Sequence, residues 1–154
     1  MTDPAVIFRD KIIVPVLREL ELCSEAATTL LLGTALHESG GLRYIHQDGG
    51  PAMGLYQMEP DTLDDLWTNW LAYRREWRQS LEVYGEVGLE EHDPENLYNA
   101  RYATATARLQ YYRQPERLPS TREDLAYYYK RHWNTSKGRA TPQDFLDALD
   151  RHGV

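Results

Sequence analysis

Cysteine, basic charge and long apolar runs are all scarce in this sequence of 154 residues. Cys23 is the single cysteine, so no disulfide can form within the chain and no cysteine-based zinc cluster can be assembled. We expect Cys23 to be a small buried apolar residue. The formal net charge is −7, and the short basic stretches do not make the basic stripe that nucleic-acid binding requires. We therefore predict that the chain has no nucleic-acid partner.

The apolar segments are too short to cross a membrane. The longest uncharged apolar run near the start extends only from Ile12 to Leu17, whereas a transmembrane helix needs about 20 residues. The acidic residues Asp3 and Asp10 make the first segment unlike the basic head of a signal peptide. We therefore predict no membrane span and no signal peptide, so that another component would have to carry the chain to any site outside the cytoplasm.

The remaining composition is that of a folded helical domain. Apolar residues make up 42% of the chain, and no repeat or low-complexity segment is present, which predicts one globular domain over residues 1–154. Helical spacing and capping signals favour a mainly α fold with at most a small β-hairpin in 42–56. The predicted helices cover residues 4–22 with a division at Pro15, 25–38, 61–84, 95–113, 121–133 and a last helix that begins at Pro142. The predicted N-caps are Ser24, Asp61 or Thr62, Ser120 and Thr141.

Glu38 stands at the end of the apolar helix predicted for residues 25–38, just before two glycines that stop the helix. A carboxyl group at this position loses hydration if a cleft encloses it, and the helix dipole also disfavours its negative charge. Both effects raise its pKa, so that the group can keep a proton near neutral pH and donate it. The alternative is an exposed glutamate in the last helical turn, which the spacing alone does not exclude.

Three segments carry a combination of motifs around this glutamate. Glu38–Ser39 ends a helix, Gly54, Leu55 and Gln57 form a Gly-Leu-x-Gln segment, and Pro60 and Thr62 form Pro-x-Thr. This combination resembles the soluble lytic transglycosylases of the lysozyme-like superfamily. Residues 93–112 are similar to a third feature of that family. A fourth, Ala-Tyr-Asn, is met by Ala126 and Tyr127, whereas Tyr128 stands in place of the asparagine.

The resemblance implies a lysozyme-like helical domain with an active-site cleft that cuts the β-1,4 bond between N-acetylmuramic acid and N-acetylglucosamine in peptidoglycan. Glu38 would protonate the glycosidic oxygen and then, as a carboxylate, remove a proton from the sugar's own 6-hydroxyl, giving a 1,6-anhydro product. A hydrolytic lysozyme would need a second carboxylate to activate water or stabilise the cation. Asp48, Glu59 and Asp61 are the candidates, with Glu59 the first to test. The alternative for Glu59 is a carboxylate that favours a helix N-terminus.

Flat amphipathic rings suit sugar faces, and the resemblance favours Tyr127, with Tyr128 as its rival, as the tyrosine that contacts the substrate. Several residues are therefore candidates for contact with the substrate. They are Ser39, Gly54, Tyr56, Gln57, Tyr127 and Tyr128, with Tyr102 as a further aromatic candidate. For Ser39 and Gln57 the alternative is a local hydrogen bond to the backbone. Trp67, Trp70 and Trp133 are expected in the core. The five histidines lack the i, i+4 spacing of a metal site, so neither a metal nor another cofactor is predicted.

The expected partners are peptidoglycan glycan strands and, by analogy with bacteriophage proteins, other components of a virion. The chain would then lie in a phage virion, or in the host cytoplasm before another component delivers it to the cell wall. A second hypothesis is a catalytically silent virion structural or peptidoglycan-binding module on the same scaffold. Tyr128 and the net acidity favour this second hypothesis, whereas Glu38, Gly54 and Gln57 favour the enzyme.

Overall fold

The protein is mainly helical, as its sequence predicts. Its structure is a computed structural model that describes residues 1–43, 45–46, 49–135 and 138–154. Within these ranges the chain forms isolated β-bridges that join Met53 to His46 and to Met58, but no strand. The helices are α1 (Pro4–Phe8), α2 (Val14–Glu19), α3 (Glu25–Glu38), α4 (Pro60–Asn69), α5 (Arg75–Tyr84), α6 (Ala100–Tyr112), α7 (Arg122–Tyr129) and α8 (Pro142–Arg151).

The first helical segment changes its hydrogen bonding just before Pro15, near the predicted division, and it ends at Glu19 rather than at Leu22. A π-helical turn, Arg9–Ile13, lies between α1 and α2, and the Val14 amide donates to the Arg9 carbonyl. Proline has no amide hydrogen and cannot make the usual helical bond at its position, so the wider turn accommodates it. The π turn, α1 and α6 all contribute packing around the next helix, α3.

Helix α3 begins and ends where its sequence predicts. The Ser24 hydroxyl accepts a hydrogen bond from the Ala27 amide at 3.0 Å, and Ser39 is the C-terminal cap. Helix α3 packs against α7 and α8, and Gly33 allows the closest approach to α8. A Cβ atom at Gly33 would lie 2.3 Å from the Phe145 ring. The helix that carries Glu38 is therefore fixed on several sides by apolar contacts.

The prediction of one helix over residues 61–84 is wrong. Helix α4 ends at Asn69, a 3₁₀ turn spans Leu71–Tyr73, and α5 follows. Trp70 leaves helical geometry with φ −133°, and its ring stacks on Trp77 at 5.5 Å between centroids. The N-cap of α4 is Glu59 rather than Asp61 or Thr62, because Pro60 already occupies the first helical position.

The predicted starts of two later helices are also displaced. A 3₁₀ turn, Pro94–Tyr98, precedes α6, whose N-cap is Asn99: its side-chain oxygen accepts from the amides of Arg101 and Tyr102. The cap of α7 is Thr121 rather than Ser120, since the Thr121 hydroxyl accepts from the Asp124 amide at 3.2 Å. Helix α7 continues into a second π-helical turn, Lys130–Asn134.

The last helix confirms its prediction, because Thr141 and Asp144 form a reciprocal capping box at the start of α8. One large apolar cluster joins α3, α6, α7 and α8, and a second joins α4, α5 and the other face of α6. Cys23 is exposed rather than buried, which corrects the expectation from its residue type. None of the helices described is long and apolar enough to span a membrane.

Candidate functional site

A cavity of about 870 Å³ opens where the C-terminal end of α3 meets the loop before α4. Side chains from α6 and from the turn that follows α7 complete its wall. Polar and aromatic groups therefore converge on one opening from five separate parts of the chain. The lining residues are Glu38, Ala52, Gln57, Met58, Glu59, Thr62, Gln110, His132, Trp133, Asn134, Thr135 and Gly138.

Glu38 is a half-buried carboxyl group that faces this cavity. Burial raises the pKa of Glu38 above its ordinary value of 4.5, and a hydrogen bond from Tyr129 opposes part of that rise. The Tyr129 hydroxyl donates to Oε1 of Glu38 at 2.7 Å. Because burial is the larger effect, the protonated form of Glu38 is favoured relative to a glutamate in water. This arrangement matches the raised pKa predicted for a carboxyl group at the helix end.

Tyr129 is the aromatic residue that contacts Glu38, and the sequence prediction missed it. Its side chain is fully buried, with its ring 5.3 Å from Phe145 and edge-on to His37 at 5.9 Å, measured between centroids. These contacts hold the hydroxyl in place toward Glu38. A signal was present in the sequence, because Tyr129 follows the apolar Leu125 and Ala126 at helical spacing on α7.

The two tyrosines predicted to contact substrate lie elsewhere on α7. Tyr127 is 57% exposed and is not part of the cavity wall. Tyr128 is 1% exposed, and its hydroxyl donates to the Glu116 carbonyl at 3.0 Å. Successive helical residues point about 100° apart, so the three adjacent tyrosines take three different environments. Neither Tyr127 nor Tyr128 lines the cavity, and the residue of α7 that contacts Glu38 is Tyr129.

Ser39 closes the end of α3 and does not reach the cavity. Its hydroxyl donates to the Ala35 carbonyl at 2.6 Å and accepts from the Leu42 amide at 2.7 Å. The side chain is completely buried, so the substrate-binding prediction does not fit. The local alternative does fit, since these two bonds satisfy backbone groups that the helix end leaves without partners.

Gly54 and Tyr56 also pack inside the fold and do not line the cavity. Gly54 has φ +79°, and a Cβ atom there would lie 2.1 Å from the Leu97 carbonyl oxygen. The close neighbour that requires glycine is thus the backbone of the 3₁₀ turn before α6, not a saccharide. Tyr56 is 1% exposed, and its hydroxyl is 3.0 Å from that of Thr104. Tyr102, the further aromatic candidate, is likewise fully buried.

Gln57 lines the cavity, and its amide group has a local partner as well. The side-chain Nε2 donates to the Gly54 carbonyl at 2.9 Å. This bond fixes the orientation of the amide, while the backbone of Gln57 adopts φ +51°. Both roles considered for this glutamine are therefore compatible with its position.

Glu59 is the second carboxylate that the structure places in the cavity wall. It is exposed, and although it is the N-cap of α4, its side chain makes no capping hydrogen bond. Its carboxylate is therefore not committed to the helix end. Asp61 is exposed and lies outside the lining, and Asp48 is outside the described residues.

Of the lining residues that were not predicted as site residues, three carry large polar or aromatic side chains. Oε1 of Gln110 is buried and has no hydrogen-bond partner in the part of the chain that the structure describes. Trp133, expected in the core, is half-buried in the wall with its indole N–H donating to the Tyr56 carbonyl at 3.2 Å. His132 lies beside it, 2.5 Å from the Glu116 carboxylate. A polar Gln110 three residues after the buried Ala107 was the available sequence signal.

No family model matches the chain, and neither a curated protein nor a solved structure matches it significantly. The likeness to the lysozyme-like superfamily therefore stays a prediction that depends on the motifs in the sequence. Among the motif residues, Glu38 and Gln57 line the same cavity. Ser39 instead bonds to the backbone at the end of α3, and Gly54 packs against the Leu97 carbonyl.

Proposed function

We propose that the protein cleaves the β-1,4 bond between N-acetylmuramic acid and N-acetylglucosamine in peptidoglycan, with Glu38 as the catalytic acid and base. The observation that carries this proposal is a half-buried carboxyl group of raised pKa that faces a cavity of about 870 Å³. Cavities of several hundred Å³ with a few converging polar groups are typical of small-molecule sites. A carboxyl group that keeps its proton is what glycosidic bond cleavage needs.

In the first step, protonated Glu38 donates its proton to the glycosidic oxygen while the bond from that oxygen to the sugar C1 breaks. Positive charge develops on C1 and the ring oxygen, and the leaving sugar departs with a neutral hydroxyl group. Glu38 is left as a carboxylate. The Tyr129 hydroxyl, 2.7 Å from Oε1, stabilises that carboxylate by a hydrogen bond to the charged form.

In the second step of a transglycosylase, the Glu38 carboxylate removes the proton from the 6-hydroxyl of the same sugar. The 6-oxygen then bonds to C1, which gives a 1,6-anhydro product and returns the proton to Glu38. In a hydrolase, water replaces the 6-hydroxyl, and Glu59 in the same wall is the candidate to assist it. We favour the transglycosylase, because one carboxyl group serves both of its steps.

The rest of the wall is suited to a polar sugar chain. The side-chain amides of Gln57 and Gln110 line the cavity, and amide groups can pair with the hydroxyl and N-acetyl groups of a sugar. Trp133 provides a flat aromatic surface in the same wall, and such rings pack against sugar faces while their polar edge stays hydrogen-bonded. These groups support a neutral saccharide as the ligand.

The test is digestion of purified peptidoglycan by the wild type, Glu38→Gln and Glu59→Gln. We expect Glu38→Gln to lose about 10²- to 10⁴-fold in release of soluble muropeptides, the usual contribution of a general acid. Glu59→Gln is the matched control, and it should keep activity if the enzyme is a transglycosylase. Mass analysis of the products then identifies the mechanism, since 1,6-anhydro products lack one water relative to reducing ends.

Two results would reject the proposal. Full activity in Glu38→Gln would remove Glu38 from the chemistry. A wild type that binds peptidoglycan but releases nothing would favour the catalytically silent binding module instead.

A further inference from the structure

Arg108 is a buried positive charge without an ion-pair partner in the described chain. It lies on α6, is 6% exposed, and its Nε donates to the Leu22 carbonyl at 3.2 Å. The terminal nitrogens Nη1 and Nη2 donate to no residue that the structure describes, yet neither is sealed from solvent. Arg108 lines a cavity of about 390 Å³ that shares no described lining residue with the Glu38 cleft.

The groups around this guanidinium do not neutralise it. Burial lowers the pKa of Arg108, and the ionisable groups that oppose this effect are Tyr128, Tyr112 and Cys23, none of which is a carboxylate. The Tyr112 ring lies 5.7 Å from the guanidinium carbon. Glu116 lines the same cavity, but its carboxylate is held by Arg131 and His132.

A buried charge without a counter-charge is costly, and proteins normally pair such groups or use them to bind an ion. Arginine has a planar fork of N–H donors that matches two oxygens of a carboxylate or phosphate. Nε of Arg108 donates to the Leu22 carbonyl, whereas Nη1 and Nη2 keep their donors free of partners among the described residues, in a side chain that lines the cavity. Gln114 and Arg117 lie in the same wall and add further donors.

We propose that this second cavity binds a compact oxyanion, either a carboxylate or a phosphate group, through the Arg108 guanidinium. The site is separate from the Glu38 cleft and does not depend on the function proposed for that cleft. Its ligand would be recognised by two oxygens and a negative charge rather than by a sugar ring.

The test is an NMR titration of the folded protein with sodium phosphate and, separately, with sodium acetate. Sodium chloride at matched ionic strength is the reference for screening. We expect saturable shifts of the Arg108 Nε–Hε signal and the Gln114 amide signals, with half-saturation at about 1 to 10 mM. Saturation by phosphate alone, by acetate alone or by both supports the site and identifies the anion that it prefers.

Variants separate binding at the fork from a general charge effect. Arg108→Lys should weaken binding by about tenfold, because lysine keeps the charge but not the fork. Arg117→Gln leaves the Leu22 contact intact and should weaken binding by about threefold. Arg101→Gln is the control, since Arg101 is exposed on the same helix and should bind like the wild type.

The inference is wrong if the shifts do not saturate, or if chloride reproduces them. It is also wrong if Arg108→Lys and Arg117→Gln, both folded by their amide spectra, titrate like the wild type. In those cases Arg108 serves only to hold Leu22 and the Tyr112 ring.

Discussion

Replacing Tyr129 by phenylalanine removes one hydroxyl group and leaves the ring packed against Phe145 and His37. The lost contact is the 2.7 Å hydrogen bond to Oε1 of Glu38. A hydrogen bond to a charged group contributes about 1.5 to 3 kcal/mol. The ionised form of Glu38 loses most of this stabilisation, so Tyr129→Phe raises the pKa of Glu38 further above 4.5. We therefore predict that the alkaline limb of the activity profile moves to higher pH.

The assay is muropeptide release from purified peptidoglycan over a series of buffers from acidic to mildly alkaline pH. Tyr127→Phe is the matched control, because Tyr127 is exposed on the same helix and lies outside the cavity wall. Its profile should coincide with that of the wild type. An unmoved limb in Tyr129→Phe, or a limb displaced to lower pH, would refute the stabilising role of the Tyr129 hydroxyl.

Two predictions concern stability. Because burial raises the pKa of Glu38, folding favours its protonated form, and the folded state loses stability as pH rises from 4.5 through that raised pKa. Glu38→Gln should therefore be more stable than the wild type at neutral pH and equal to it in acid, as measured by urea unfolding; a constant difference at all pH values would contradict this. Gly54→Ala should cost about 2 to 5 kcal/mol in the same assay, from the positive φ and the clash with the Leu97 carbonyl. At Gly88, which has φ +92°, an added Cβ would have no described atom within 4 Å apart from its chain neighbours, so Gly88→Ala should show only the smaller backbone cost; equal losses would argue against the clash.

The helix that carries the site was predictable because its signals are local. Ser24 caps α3, apolar residues follow at helical spacing, and Gly40 and Gly41 follow the C-cap residue Ser39. The break at Trp70 was not predictable in this way. It coincides with the stacking of Trp70 on Trp77, which lies on the helix that follows the break. The periodic pattern predicts that both tryptophans lie on an apolar face. It does not predict which residues they contact in three dimensions.

The same distinction between local signals and long-range contacts applies to the candidate site. Glu38 could be predicted from its position at the end of an apolar helix, and its raised pKa follows from that position. Tyr129 is 91 residues away in sequence, so no local pattern joins the two. Three consecutive tyrosines offer three directions around α7, and only the packing of that helix selects the one that faces Glu38.

The aromatic residues show a second reason why some site residues were predicted wrongly. Tyr56 and Tyr128 were predicted to contact a saccharide because each has a flat ring and a polar group. Both hydroxyl groups instead have partners inside the protein, namely Thr104 and the Glu116 carbonyl. A tyrosine that satisfies its hydroxyl internally can be buried at little cost, so residue type alone does not separate core from cleft.

The most direct measurement is a ¹³C NMR titration of the Glu38 side-chain carboxyl group, assigned by comparison with Glu38→Gln. A proton held by a half-buried carboxyl group in the cavity requires a titration midpoint clearly above 4.5. A midpoint at or below 4.5 would mean that Glu38 is ionised like a glutamate in water, and it could not serve as the acid that cleaves the glycosidic bond.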